Sequence, residues 1–214
     1  MIYDHLSIFE QLQDIAQRLQ SMKLGDLHPF GAESHRFDFG TRLSEAEIRD
    51  FETQHHVTLP TDYRSFLQQV GDGGAGPAYG LFSLRNSFYD SNTTAGSLLA
   101  QPFPYTESYN PAEDPAFEQI YDPKHRAKCE LSSAELYQHF RDLVSGTLPL
   151  CHEGCGYFHR LVITGPTRGE MWLDGRISDQ GFCRLNVSFL EWYKRWYEDI
   201  LTGNDGVWWL REDA

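Results

Sequence analysis

Residues 59–84 of this chain read LPTDYRSFLQQVGDGGAGPAYGLFSL. Pro60 suits the first turn of a helix. Apolar side chains then recur at helical spacing, at Tyr63, Phe66, Leu67 and Val70. We therefore predict a helix over 60–70 that packs on a core. Gly71 is predicted to end this helix as a left-handed cap, and the glycines after it predict a tight turn into a strand over 79–84.

The glycines of this stretch also have a spacing found in nucleotide-binding loops, at Gly71, Gly73, Gly74 and Gly76. A phosphate loop lies between a strand and the start of a helix, so that free backbone amides point at the anion. Here the glycines follow the end of a helix, where free carbonyl groups would repel phosphate. The sequence therefore favours a turn over a nucleotide site.

Composition limits the function classes that remain. The chain has 214 residues and a formal net charge of −13, which fits one domain and argues against binding to a nucleic acid backbone. An acidic surface would instead steer a basic partner, although solubility alone can also explain the net charge.

The first ten residues lack the apolar run of a signal peptide, and no stretch is apolar enough to span a bilayer, so we expect a cytoplasmic protein. Four cysteines in a chain of this length do not predict a disulfide scaffold.

Further helices are predicted from periodicity and capping signals, over 3–24, 44–55, 132–145 and 188–202. Three of them open with a Ser-x-x-Glu capping box, at Ser44, Ser132 and Ser188. Strands are predicted over 157–164 and 170–173, as a hairpin, and over 36–40, as an edge strand. The fold class is therefore α+β, a single domain with a mostly antiparallel or mixed sheet of about five to seven strands packed by about five helices.

The motif residues of 59–84 resemble the core of the SUKH superfamily, a group of proteins similar to a yeast cell-wall synthesis regulator. The resemblance is dense over 44–84, returns from 148 to the last helix, and rests on Pro60, Tyr63, Phe66, Gly73, Gly74, Gly76, Pro77, Gly80 and Trp172. It implies an α+β fold without a catalytic constellation. We expect residues 1–214 to form one such domain, with residues 1–43 as a helical N-terminal extension and residues 85–131, which depart from the compact family pattern, as an irregular insertion.

The insertion carries prolines, acids and aromatic residues, which suit an adaptable protein-binding surface. The partner-contact residues predicted there are Tyr105, Glu107, Tyr109, Glu113 and Asp114. Other aromatic residues of the insertion are Tyr89, Phe103, Phe117 and Tyr121. The alternative interpretation is that the aromatic side chains only anchor the insertion to the core.

A metal site is a weak alternative at Cys151, His152 and Cys155. Thiolates and imidazole are the usual zinc ligands, but structural sites normally show two separated ligand pairs. Buried cysteines around a turn explain the same residues. No nucleophile motif supports a catalytic site. We therefore expect a protein that is not an enzyme and has no cofactor.

The resemblance and the acidic charge together predict a protein-binding module. Many bacterial members of the superfamily look like immunity proteins that bind and neutralise a toxin, often a nuclease. The expected function is therefore binding and occlusion of a cognate basic toxin domain. The alternatives are an intracellular regulatory module without a toxin partner, as the fungal members resemble, and a metal-dependent enzyme using the Cys151/His152/Cys155 cluster.

Overall fold

A computed structural model describes residues 5–22, 29–84, 96–115, 120, 131–178 and 180–210. The predicted α+β class is confirmed. One antiparallel sheet has the strand order β1-β2-β3-β4, with β1 at Thr147–Gly154, β2 at Tyr157–Val162, β3 at Glu170–Gly175 and β4 at Gly181–Ser188. Each strand pairs with the next along the chain, which gives a simple meander.

The prediction of five to seven strands is wrong, because the described part of the chain forms four. The predicted strands over 36–40 and 79–84 contribute only single bridges, between Phe39 and Gly74, Gly74 and Leu81, and Leu81 and Cys151. Left-handed backbone at Gly73, Gly74 and Gly80 interrupts the extended conformation on both sides of these bridges. A ladder therefore cannot propagate from them.

Six α-helices lie in the described residues: α1 at Ile8–Ser21, α2 at Glu45–His55, α3 at Thr61–Gln69, α4 at Gly96–Ala100, α5 at Ser133–Asp142 and α6 at Phe189–Leu201. All five predicted helices are present with shorter ends, and only α4 was not predicted. Helix α1 begins at Ile8, later than predicted, because Ser7 and Glu10 form a reciprocal capping box.

The predicted capping boxes are present at Ser44 and Ser132. At the third site the Ser188 hydroxyl accepts a hydrogen bond from the backbone amide of Glu191, but the reciprocal bond is missing. The Glu191 carboxylate instead pairs with Lys194 and Arg195 on the same helix. Three helix starts and their caps were thus readable from four-residue motifs.

The main core lies between the inner face of the sheet and helices α1, α3 and α6. Helix α1 packs against α3 and α6, and its Leu12, Ile15 and Leu19 side chains are fully buried. The chain after α6 folds back onto the same core, because Trp208 and Trp209 are both buried. No described helix has the length and hydropathy needed to cross a membrane.

A second, smaller core covers the outer face of the sheet, with Phe103, Leu143, Val162, Trp172 and Phe182 at its centre. The predicted alternation along β2 is confirmed, since Leu161 lies in the main core and Val162 in the second one. Phe103 of the insertion is fully buried against Trp172, with ring centroids 5.0 Å apart. The insertion thus supplies part of the hydrophobic cover of the sheet.

Gly71 does not adopt the predicted left-handed conformation. Helix α3 ends one residue earlier, with Val70 as its right-handed cap. Glycine is needed at 71 for space instead, since a Cβ there would lie 2.5 Å from the backbone oxygen of Gly40. The left-handed positions come later in the turn, at Gly73 and Gly74.

Candidate protein-binding surface

Residues 106–109 of the insertion lie along the free edge of β4. Tyr109 and Phe182 exchange two backbone hydrogen bonds, of 2.9 and 2.7 Å, which form an antiparallel bridge. Gly181 permits this approach, because a Cβ there would lie only 2.4 Å from the Tyr109 backbone oxygen. This bridge positions the predicted contact residues 105–114, which we call the insertion ridge.

Two tyrosines form the apolar part of the insertion ridge. The rings of Tyr105 and Tyr109 are stacked, with centroids 4.4 Å apart and planes 16° apart. Tyr105 also stacks on Phe182 at 5.6 Å. Both tyrosines are half-buried, so they anchor the ridge to the second core and still present part of their surface to solvent.

The acids of the ridge are held in place to different degrees. Asp114 accepts a hydrogen bond of 2.8 Å from the Tyr109 hydroxyl group, and Glu113 accepts one of 3.1 Å from the Asn110 side chain. The Glu107 side chain is 86% exposed and lies 3.5 Å from the Arg184 guanidinium group. That guanidinium group is already paired with both carboxylate oxygens of Glu170, at 2.7 and 2.8 Å. Glu107 therefore keeps most of its negative potential for an external partner.

The structure thus brings the five predicted contact residues together on one surface. Tyr105 and Tyr109 act as anchors, and Glu107, Glu113 and Asp114 lie beside them. Tyr89, Phe117 and Tyr121 lie outside the described residues, and so does Cys129. Whether the ridge contacts a partner stays a prediction.

An ion cluster that the sequence did not reveal lies under the ridge. Asp174 is buried, and its carboxylate accepts hydrogen bonds from Arg160 at 2.7 Å and from Arg176 at 2.8 and 2.9 Å. Burial alone would raise the pKa of Asp174, but the two arginines outweigh it and hold the pKa below its ordinary value. Arg176 also lies 4.7 Å from the centroid of the Phe182 ring. The ionic role of Asp174 depends on strand register, which no local sequence pattern shows.

The Cys151, His152 and Cys155 side chains do not converge. Cys151 is fully buried in the main core, where burial raises the pKa of its thiol, whereas Cys155 is exposed in the β1–β2 turn. The His152 ring packs against the rings of Tyr79 and Phe158 instead. Among the residues described, no group of three histidine, cysteine or acidic side chains is arranged to hold a metal ion.

A second polar pair was not anticipated from the sequence. His159 is fully buried on β2, and its Nε2 hydrogen bonds to the Glu153 carboxylate. The ring lies against Trp209 and Trp192, at centroid distances of 4.3 and 5.2 Å. Because the indole rings cover it, this pair belongs to the interior rather than to an accessible site.

A shallow groove of about 650 Å³ lies between the end of α2 and the β2–β3 turn. Its lining includes Arg49, Glu52, His56 and Arg168. Arg168 donates hydrogen bonds to the backbone oxygens of Thr58 and Leu59, at 3.0 and 3.1 Å, and so ties the turn to the chain before α3. The carbonyl end of α2 faces the groove, which is unfavourable for an anion.

Comparisons with known proteins extend these observations. Neither the curated proteins nor the solved structures contain a match to this chain. One family model matches residues 42–195, well over half of the chain, and this range contains the glycine turn, the sheet and the insertion ridge. The resemblance that the motif residues suggested is thereby confirmed, and the chain belongs to the SMI1/KNR4 family (SUKH-1).

Proposed function

We propose that this protein is a non-enzymatic immunity protein that binds and occludes a cognate toxin domain with a basic surface. Membership of the SMI1/KNR4 family carries the proposal, because it suggests a toxin-immunity or related interaction module. The net charge of −13 supports a basic partner. A nuclease is a natural candidate, since its cleft already binds anions.

The insertion ridge is the proposed contact surface. Its two stacked tyrosines offer rigid, half-buried rings of the kind that dominate binding energy at interfaces. Its acids lie beside them, and charge complementarity chiefly raises the rate of association. The ridge would cover part of the surface of a bound toxin, and this occlusion is the proposed mechanism of inhibition.

The proposal is tested first by capture of the partner on tagged protein and its identification by mass spectrometry. We expect a basic protein domain whose toxic or nucleolytic activity is abolished at an equimolar ratio. A partner without any toxic activity would instead favour the regulatory module. A neighbouring gene that encodes a large secreted protein would support the toxin assignment.

The ridge is tested by the double variant Glu107→Lys/Glu113→Lys in stopped-flow association with that partner. We expect the association rate to fall about tenfold at low salt and its salt dependence to weaken. The single variant Glu107→Lys should show part of this effect, and Glu198→Lys is its charge-matched control, because Glu198 is an exposed acid on α6, away from the ridge. An unchanged association rate in the double variant would remove the ridge from the interface.

A further inference from the structure

Five aromatic rings form a continuous band beside β1, at the edge of the sheet opposite the β4 edge that carries the insertion ridge. Phe30 lies 5.4 Å from Tyr79, and Tyr79 is stacked on His152 at 6.1 Å. His152 lies 4.8 Å from Phe158, and Phe158 lies 6.5 Å from Phe82. We call these five residues the aromatic strip.

The strip is partly open to solvent, although more than half of the Phe, Tyr and Trp rings whose burial the structure describes are buried. Phe30 and Tyr79 are 43% and 45% exposed, and the other three rings are half-buried. The glycine turn creates this exposure, because left-handed Gly80 directs the chain from Tyr79 back to the bridge at Leu81. Adjacent exposed rings are typical of protein contacts rather than of a bare surface.

Arginines lie over three rings in the described part of the chain, and one of them, Arg160, lies 5.8 Å from the centroid of Phe158 within the strip itself. Arg176 lies 4.7 Å from the Phe182 centroid, and Arg195 lies 4.8 Å from a ring of Trp208. Within the described ranges, no lysine or arginine lies over Phe30 or Tyr79. The solvent-exposed parts of these two rings can therefore receive a cation from outside.

Acidic residues lie in the segments that adjoin the exposed end of the strip. The backbone amide of Phe30 donates a 2.9 Å hydrogen bond to the backbone oxygen of Asp205, so these two segments are neighbours in the fold. Glu33 and Asp38 are exposed in the segment that follows Phe30, and Arg36 is the exposed cation between them. Among the described residues of these segments, three acids against one arginine give an excess of negative charge that favours a cationic ligand.

We propose that the aromatic strip is a docking surface for arginine side chains of a basic protein partner. A guanidinium group stacked on Tyr79 or Phe30 would gain cation–π attraction and lie close to the flanking carboxylates. This inference rests on the proposed function, because it assigns a second contact surface to the same class of partner. It differs from the ridge in residues and in the chemistry of its contacts.

A hexa-arginine peptide tests the strip without knowledge of the natural partner. In a titration followed by ¹H–¹⁵N NMR, we expect shifts to cluster at residues 30, 79–82 and 152–158. Tyr79→Ala should weaken binding about fivefold, whereas Tyr79→Phe, which keeps the ring, should bind like the wild type. Leu201→Ala is the control for loss of an equally exposed apolar side chain, since Leu201 is 46% exposed on α6. Unchanged melting temperatures would show that the variants are folded.

Three outcomes would overturn the proposal. The first is that the chemical shift changes are confined to the acids of the insertion ridge, and the second is that Tyr79→Ala binds the peptide as tightly as the wild type. The third is that the wild type does not bind the peptide but associates with itself, and that Tyr79→Ala removes this self-association. The last would assign the strip to a second copy of the chain. The proposed function has a separate readout, because failure to capture a basic partner refutes it whatever the peptide does. If the captured partner binds Tyr79→Ala as tightly as the wild type, the strip fails while the proposed function stands.

Discussion

Gly74 and Leu81 exchange two backbone hydrogen bonds, of 3.0 and 2.7 Å, across the glycine turn. Gly74 also bridges Phe39 on its other side, and Leu81 bridges Cys151 of β1. This pair therefore joins the turn to the sheet and fixes the position of Tyr79 between its two ends. The geometry explains why a glycine-rich stretch can serve a structural role without any bound phosphate.

Replacement of Gly74 by alanine should destabilise the protein strongly. Gly74 has a φ of +102°, and a Cβ there would lie 2.4 Å from the backbone oxygen of Asp38. We expect the free energy of unfolding to fall by at least about 2 kcal/mol in urea denaturation. Gly203→Ala is the matched control, because its φ is +80° but nothing lies within 4 Å. It should cost only about 1 kcal/mol, and equal losses in the two variants would contradict the steric argument.

The Asp174→Ala variant should reveal the cost of leaving two partly buried arginines without their counter-ion. We expect a loss of about 3–5 kcal/mol in the free energy of unfolding. Arg49→Ala is the control, because its ion pair with Glu45 has the same 2.7 Å distance as the Arg160–Asp174 pair but is largely exposed. The control should lose less than about 1 kcal/mol. A small effect at Asp174 would mean that water reaches the cluster.

Acid pH should weaken the same cluster. The pKa of Asp174 is lower in the folded protein than in the unfolded chain, so its contribution is complete above the unfolded pKa and disappears as the pH falls through the folded pKa. Below about pH 4 the wild type should therefore lose stability more steeply than Asp174→Asn, which has no proton to gain there. Parallel curves of unfolding free energy against pH would exclude this contribution.

His35 should make stability depend on pH in a higher window. Burial lowers the pKa of His35 from 6.5 to about 4, more than the nearby Asp38 raises it. The unfolded chain binds the proton first, so this contribution is complete above pH 6.5 and is lost as the pH falls toward 4, by roughly 2–3 kcal/mol. His35→Gln should flatten the curve between these values, whatever its absolute stability. An unchanged slope in His35→Gln would contradict this contribution.

The cysteines should differ sharply in reactivity and should not hold zinc. Cys155 is exposed, so Cys155→Ser should remove a fast phase of labelling with a disulfide reagent. Cys151 should react only after denaturation, because burial both shields its thiol and raises its pKa. We expect elemental analysis to find no stoichiometric zinc. Zinc that is present in the wild type and lost in Cys151→Ser would restore the metal-dependent alternative.

Helix starts and the family were readable from the sequence because their signals are local. A Ser-x-x-Glu motif closes its capping hydrogen bonds within four residues, as at Ser44 and Ser132. The apolar spacing of α3 and the motif around Gly73 and Gly80 likewise depend only on near neighbours. These signals determined five of the helices, the α+β class and the SUKH resemblance.

Tertiary structure alone decided which distant residues meet. The Tyr109–Phe182 bridge, the two arginines on Asp174 and the ring contacts of Tyr79 join segments that are far apart in sequence. Such contacts depend on strand register and on how closely backbones can approach, and no local pattern encodes either. The sequence therefore determined the elements and the family, whereas the packing of those elements decided that the ridge and the strip exist as surfaces.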